Sequence, residues 1–182
     1  MGMRGASRVL AVATAALVAG SLIAPAAAAS RSEMREALLT ERQINELFPR
    51  NSGVLTSPTA TRTTASYSTW ELTGSGRTSV TSVNIAHVGR GKARPRDVTP
   101  WRPDGWRRIS RTDNRLVQYS AEAFSTGEAI RVVLFSGRYA VSAVCEQVSS
   151  GTDVPVVPRR QLRTCATDIA TAQMDKLQRL VK

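Results

Sequence analysis

The sequence predicts an α+β domain, a five-stranded antiparallel sheet with N- and C-terminal helices packed on one face. Short segments between residues 67 and 148 alternate apolar and polar residues, and turns rich in Gly and Ser separate them. This pattern is typical of antiparallel strands joined by hairpins. A capped helix precedes these segments and a helical apolar periodicity follows them, so each helix can lay one apolar side on the sheet.

Length and composition limit the classes of protein. The 182 residues suffice for one domain of ordinary size, predicted here over residues 30–182, and exclude a large two-domain enzyme. The two cysteines and one histidine leave too few ligands for most structural zinc sites, so no metal or cofactor is expected. With 25 Lys and Arg against 14 Asp and Glu, the chain carries a formal charge of +11.

The first segment, residues 1–29, has the features of a signal peptide. Arg4 and Arg8 precede an uncharged run over residues 9–23, and the small residues 26–29 suit cleavage after residue 29 or, nearly as well, residue 28. A membrane anchor is the alternative, but this run is shorter than the ~20 residues that span a bilayer. The sequence therefore predicts a secreted, extracellular protein.

The first helix of the domain begins at Thr40. Gln43 completes a capping box with Thr40, Leu39 and Ile44 form a hydrophobic staple, and Pro49 ends the helix. A short helical turn before it and a Ser/Thr-rich surface loop after it are predicted over residues 32–38 and 50–65.

Five strands follow this loop. They are predicted over residues 67–73, 80–88, 116–124, 130–135 and 139–148. The closing helix is predicted over about residues 158–181, where residues at helical spacing form one largely apolar stripe: Leu162, Cys165, Ala166, Ile169, Gln173, Leu177 and Leu180.

The two cysteines are predicted to form a disulfide. Cys145 lies on the apolar face of the last strand and Cys165 on the apolar stripe of the last helix, so both thiols point into one layer. Disulfides persist outside the cell, which favours the bond over the alternative of two free, buried thiols.

Residues 89–115 form a long basic connection between two strands. Between Arg90 and Arg111 it carries eight basic residues against two acids, with two Trp between them. Guanidinium groups bind carboxylate and phosphate oxygens, and indoles stack on sugars or cations, so we predict an anionic-ligand site here. Its candidate residues are Arg94, Arg96, Trp101, Arg102, Trp106, Arg107 and Arg108.

The candidate partners of this connection are an anionic envelope polymer, a lipid surface or an acidic protein. Nucleic acid is unlikely, because the export signal directs the protein away from it and no nucleic-acid-binding motif is present. The alternative interpretation is a solvated loop in which one Trp plugs the edge of the fold.

Catalytic signals are weak. The single histidine, His87, alternates with apolar residues and is predicted to be buried, and no nucleophile-elbow, zinc-protease or phosphate-loop motif occurs. Glu71, Glu122 and Glu128 could supply a carboxylate pair only if the fold brought two of them together.

Several short motifs resemble the extracellular sensor domain of PknH-type mycobacterial receptor kinases and its free-standing relatives. They are residues 38–40 at the start of the first helix, residues 68–70 before a glycine turn, and the pair Cys145 and Cys165. Arginine outnumbers lysine 22 to 3, which is typical of GC-rich coding and agrees with an actinobacterial source. The resemblance implies a non-enzymatic, cleft-bearing ligand-binding domain.

The predicted function is therefore a secreted, non-catalytic ligand-binding or sensor-like domain of the bacterial cell envelope. The alternatives are a small secreted hydrolase acting on cell-wall or extracellular polymer, and a cationic effector or inhibitor. The hydrolase requires His87 or a pair of acids at the floor of an open cleft.

Overall fold

The computed structural model describes residues 29–48, 58–67, 70–71, 78–98, 105–123, 127–147 and 157–181. The elements, in chain order, are α1 (Arg31–Glu36), α2 (Glu41–Leu47), β1 (Thr59–Ala60), β2 (Thr64–Tyr67), β3 (Trp70–Glu71), β4 (Thr78–His87), a 3-10 helix (Pro95–Asp97), β5 (Arg107–Arg111), β6 (Arg115–Ala123), β7 (Gly127–Ser136), β8 (Tyr139–Gln147) and α3 (Arg159–Leu180).

The strands form one antiparallel sheet, as the sequence predicts. Seven of the described strands lie side by side in the order β1-β2-β4-β8-β7-β6-β5. The short strand β3 pairs with β4 in the same register as β2, since Tyr67 lies opposite Val83 and Trp70 opposite Val80. The prediction of five strands is therefore wrong.

The strand predicted over residues 67–73 corresponds to β2 and β3 together, and the two additional strands, β1 and β5, lie at the edges of the sheet. Strand β1 falls within the predicted loop of residues 50–65, and β5 falls within the predicted connection of residues 89–115. Neither shows apolar alternation, because β1 is only two residues long and β5 reads Arg-Arg-Ile-Ser-Arg. Such strands are held mainly by backbone hydrogen bonds to one neighbour and leave little alternation in the sequence.

The strand order also departs from simple hairpins. Strand β8 lies between β7 and β4, so β4 does not pair with β6, and the chain leaving β4 must reach the far edge at β5. Residues 93–98 lie against the sheet face opposite α3, where Ala93 and Val98 pack on Ala86, Val133 and Ala140. We call this face the second face.

All three helices lie on the other face, as predicted. One hydrophobic core joins the buried residues of α1, α2 and α3 to those of β2, β4, β7 and β8. The capping box of Thr40 and Gln43 is confirmed, and a second one, formed by Ser30 and Glu33, starts α1. The predicted stripe of α3 is buried except for Leu180, which is 43% exposed.

Helix α3 is fastened to the sheet at both ends. At its first residue, Arg159 makes an ion pair with Glu128 and hydrogen-bonds to Tyr119 on β6. At its last turn, the Tyr139 hydroxyl donates a 2.6 Å hydrogen bond to the carbonyl of Val181. These polar contacts set the position of the helix along the sheet, which an apolar stripe alone does not define.

Gln173 connects α3 to the linker between α1 and α2. Its fully buried amide accepts a 3.0 Å hydrogen bond from the backbone N–H of Leu39 and donates one to the carbonyl of Ala37. Lys176, one turn later, donates to the carbonyl of Leu38 at 2.6 Å. A polar side chain on an otherwise apolar stripe is thus explained by the backbone groups it satisfies.

The predicted disulfide is confirmed by the geometry, because the sulfurs of Cys145 on β8 and Cys165 on α3 lie 2.14 Å apart. The bond joins a central strand to the first half of the closing helix. A disulfide is compatible with a secreted protein. Among the helices of the described residues, none is long and apolar enough to cross a membrane.

Removing the disulfide should destabilise the domain. Cys145→Ser combined with Cys165→Ser is expected to lower the free energy of unfolding by about 2–5 kcal/mol, because the bond closes a loop of 20 residues in the unfolded chain. Urea denaturation of the two proteins measures the difference. Two alkylatable thiols in the unreduced wild-type protein would contradict this account.

Replacing the Gln173 side-chain amide should also destabilise the domain. Gln173→Leu leaves the buried N–H of Leu39 and carbonyl of Ala37 without their partner, which predicts a loss of about 1–3 kcal/mol in the free energy of unfolding. Gln178→Leu, at an exposed position on the same helix, is the control and should change stability by less than about 0.5 kcal/mol. Equal effects at both positions would refute the anchoring role.

Candidate functional site

The second face of the sheet carries buried polar and charged residues among apolar ones and is the best candidate for a binding site. Alternation in β7 and β8 places Arg131, Ser142 and Glu146 on this face, and all three are buried. Within the described part of the chain between β4 and β5, residues 93–98 pack at one end of this face and Trp106 packs at another place.

The segment around the 3-10 helix is held in a defined conformation. The carboxylate of Asp97 accepts a 2.6 Å hydrogen bond from the backbone N–H of Arg94, and Ala93 and Val98 are buried against the sheet. The side chains of Arg94 and Arg96 remain exposed. These two predicted site residues are therefore presented to solvent by an anchored turn.

Trp106 lies over the second face as a packing residue. It is half-buried, contacts Ala129 and Val144, and has the Arg131 guanidinium 4.1 Å from its ring centroid. One face of the indole is thus occupied by a cation–π contact. For Trp106 this geometry agrees with the plug interpretation of the sequence. The other candidates Trp101 and Arg102 lie outside the described residues.

Strand β5 separates the remaining candidates onto opposite sides. Arg107 lies opposite Tyr119, on the helix side, whereas Arg108 lies opposite Gln118, on the second face. A bulge between Arg108 and Ser110 shifts the register, so Arg111 also lies on the second face. The prediction that these residues belong to a loop outside the sheet is wrong, because backbone pairing with β6 makes them an edge strand.

The basic side chains of this region are exposed and unneutralised. Seven of them are exposed, and within the described part of the chain none has a carboxylate within 4 Å: Arg90, Lys92, Arg94, Arg96, Arg107, Arg108 and Arg111. Like charges held together with few acids between them create a positive potential that attracts anions.

Arg131 was not among the site residues predicted from the sequence. This residue interrupts the apolar run of β7, is only 8% exposed, and its Nε has no hydrogen-bond partner among the described residues. Burial lowers the pKa of its guanidinium to about 10. A charged residue within an otherwise apolar strand was the signal that could have identified it.

His87 is buried, as the alternation predicts. It is 1% exposed on the helix side of the sheet, and its ring stacks on Tyr139 at a centroid distance of 5.3 Å. Its Nε2 has no hydrogen-bond partner within the described structure. Burial, and secondly the positive charge of Arg138, lower its pKa. A histidine enclosed in this way does not lie at the floor of an open cleft.

The acids do not assemble into a described catalytic pair. Glu128 accepts hydrogen bonds from Arg159 and Tyr119, and its pKa is lowered chiefly by Arg159. The side chains of Glu71 and Glu122 lie outside those that the structure describes. Over the described residues, no cluster of three His, Cys, Asp or Glu side chains could hold a metal ion.

The burial of His87 predicts a pH dependence of stability. Because its pKa is lowered in the folded state, the unfolded chain takes up a proton more readily as the pH falls below about 6.5. The contribution of neutral His87 to the free energy of unfolding is therefore fully present above this pH and is lost as the pH falls below it. His87→Phe keeps a stacking ring without a titrating group, so urea denaturation between about pH 7.5 and 5 should show a smaller decline. Identical pH profiles would exclude the effect.

Comparison of the chain with protein-family models, with curated proteins and with solved structures gives no match. The resemblance to receptor-kinase sensor domains therefore stays a prediction. Function has to be inferred from the geometry of the second face and the charges around it.

Proposed function

We propose that the protein is a secreted, non-catalytic ligand-binding domain, of the sensor-like type, that binds an anionic polymer of the bacterial cell envelope. The binding surface is the basic rim, which we define as the exposed residues Arg90, Lys92, Arg94, Arg96, Arg108 and Arg111. The observation that carries the proposal is that these charges are exposed, unneutralised by any described carboxylate, and displayed by anchored backbone.

The spread of the rim favours a polymer over a small ligand. Its charges extend from the turn after β4 to the edge strand β5, so one small anion contacts only a few of them. An exposed ion pair contributes about 0.2–1 kcal/mol, and useful affinity therefore requires several simultaneous contacts. A chain of repeated anionic groups supplies them at high effective concentration.

Export to the envelope is part of the proposal. The charge pattern of residues 1–29 supports a signal peptide, and the disulfide is compatible with an oxidising compartment. Ala29 is 5% exposed and packs in the main core, which favours cleavage after residue 28 over residue 29. The mature chain would then keep its complete core.

The surroundings of the titratable residues support a binding function over hydrolysis. His87 is buried on the helix side of the sheet and stacks on Tyr139, and Glu128 is held by Arg159. General acid–base chemistry needs a group within hydrogen-bond reach of a substrate, and neither residue offers it in this arrangement.

Neutralising part of the rim should weaken binding. Replacing Arg94, Arg96 and Arg108 together with Gln is expected to reduce affinity for isolated cell-wall polymer about tenfold, since three exposed ion pairs contribute about 0.6–3 kcal/mol. Co-sedimentation at several salt concentrations measures the affinity. Wild-type binding should weaken as salt rises, because exposed charges are screened over ~8 Å at 0.15 M ionic strength.

The matched control replaces Arg35, Arg160 and Arg163, three exposed arginines on the helices, with Gln. It lowers the net charge equally and should leave binding nearly unchanged. Equal losses in both triple variants would show that only net charge matters. Retention by anionic lipid vesicles or by acidic culture proteins, with no retention by wall polymer, would redirect the proposal to those partners.

A further inference from the structure

Arg131 poses an energetic problem that the basic rim does not explain. Arg131 is only 8% exposed, so its charged side chain loses much of its hydration. Such a charge is retained at low cost only when ionic or hydrogen-bonding partners compensate it. A Met or Leu at this position of β7 would fill the same space without that cost. A buried unsatisfied polar group in a stable fold calls for a physical explanation.

The described structure contains no partner that compensates the charge. The nearest acid by register is Glu146 on β8, which lies opposite Ala129 and so diagonal to Arg131. Within the described residues, Arg131 makes no ion pair within 4 Å. Its guanidinium contacts the Trp106 ring, which supplies a cation–π attraction but no hydrogen-bond acceptor.

The cation–π contact uses the face of the Arg131 guanidinium, so Trp106 does not occupy its in-plane N–H groups. A guanidinium lying over an aromatic ring uses its face, while its N–H groups point outward in its own plane. Those donors match two oxygens of one carboxylate or phosphate group. Gln118, half-buried and directly opposite Arg131 on β6, adds an amide that can donate to the same group.

Basic residues outnumber the acid Glu146 around this place, which favours an anion over a cation. Arg108 lies on the same face, opposite Gln118. Arg94 and Arg96 extend from the turn that covers part of the face. Their combined potential raises the local concentration of anions near Arg131.

We propose that Arg131 is the binding group of a second-face site for a single oxyanion, a carboxylate or phosphate group, held beside Trp106. The site goes beyond the proposed function, because a small anion needs this one guanidinium and no extended rim. Its affinity should also depend less on salt than that of the rim, since a buried ion pair is screened less.

The test uses the mature protein with its disulfide intact, and the probes are inorganic phosphate and acetate. Isothermal titration at 0.15 M salt should show saturable binding of at least one of them, and the same anion should raise the melting temperature. Arg131→Met should weaken binding at least about tenfold, the loss expected for charge-assisted hydrogen bonds. In the absence of anion, its melting temperature should equal or exceed that of the wild type. Arg160→Gln, which removes one exposed charge on α3, should bind like the wild type.

The outcomes separate this site from the rim. The Arg94, Arg96 and Arg108 triple variant should lose polymer but still bind the small anion saturably, with a smaller loss of affinity than Arg131→Met. Arg131→Met should lose the small anion and keep polymer binding. Absence of saturable binding to the wild type, or unchanged binding by Arg131→Met, would overturn the proposal. If Arg131→Met does not fold, Arg131→Lys replaces it in the test, because Lys keeps the charge and loses the two-pronged hydrogen-bonding geometry. Tenfold weaker anion binding by Arg131→Lys supports the site, and unchanged binding refutes it.

Discussion

The docking of α3 on one face of the sheet is the interaction on which the rest of the structure depends. Its apolar stripe covers β4, β7 and β8, the disulfide ties it to the central strand β8, and Gln173 holds the linker between α1 and α2. Because one 22-residue helix organises both the sheet and the N-terminal helices, most of the buried apolar surface depends on its position.

This arrangement makes the two faces of the sheet unequal. The helix side is a continuous apolar core, whereas among the described residues a turn and Trp106 lie over the second face. A partly covered face can retain polar and charged side chains that a closed core would exclude. The proposed functions therefore belong to the face that the helices leave open.

The charges on the second face differ in their physical role. The exposed rim attracts anions over a distance and is easily screened, while the buried Arg131 interacts strongly but only at contact. A buried charge lowers the stability of the free domain, and an anion that pairs with it restores part of that loss. The disulfide and the polar contacts of α3 stabilise the domain, so it can remain folded although the buried charge lowers its stability.

The sequence by itself determined the features that depend on local periodicity and capping. The Thr40 capping box, the stripe of α3, the burial of His87 and the pairing of Cys145 with Cys165 all follow from side chains a fixed number of residues apart. Tertiary structure alone decided the edge strands, the position of β8 next to β4, and the separation of Arg107 from Arg108 onto opposite faces. Edge strands draw their stability from a neighbour's backbone, and a bulge changes which face a residue occupies, so neither leaves a periodic signal in the chain. Arg131 depends on both levels. Its charge within an apolar run is visible in the sequence. Only the tertiary structure shows that Trp106 packs over it and that its guanidinium has no acid partner among the described residues.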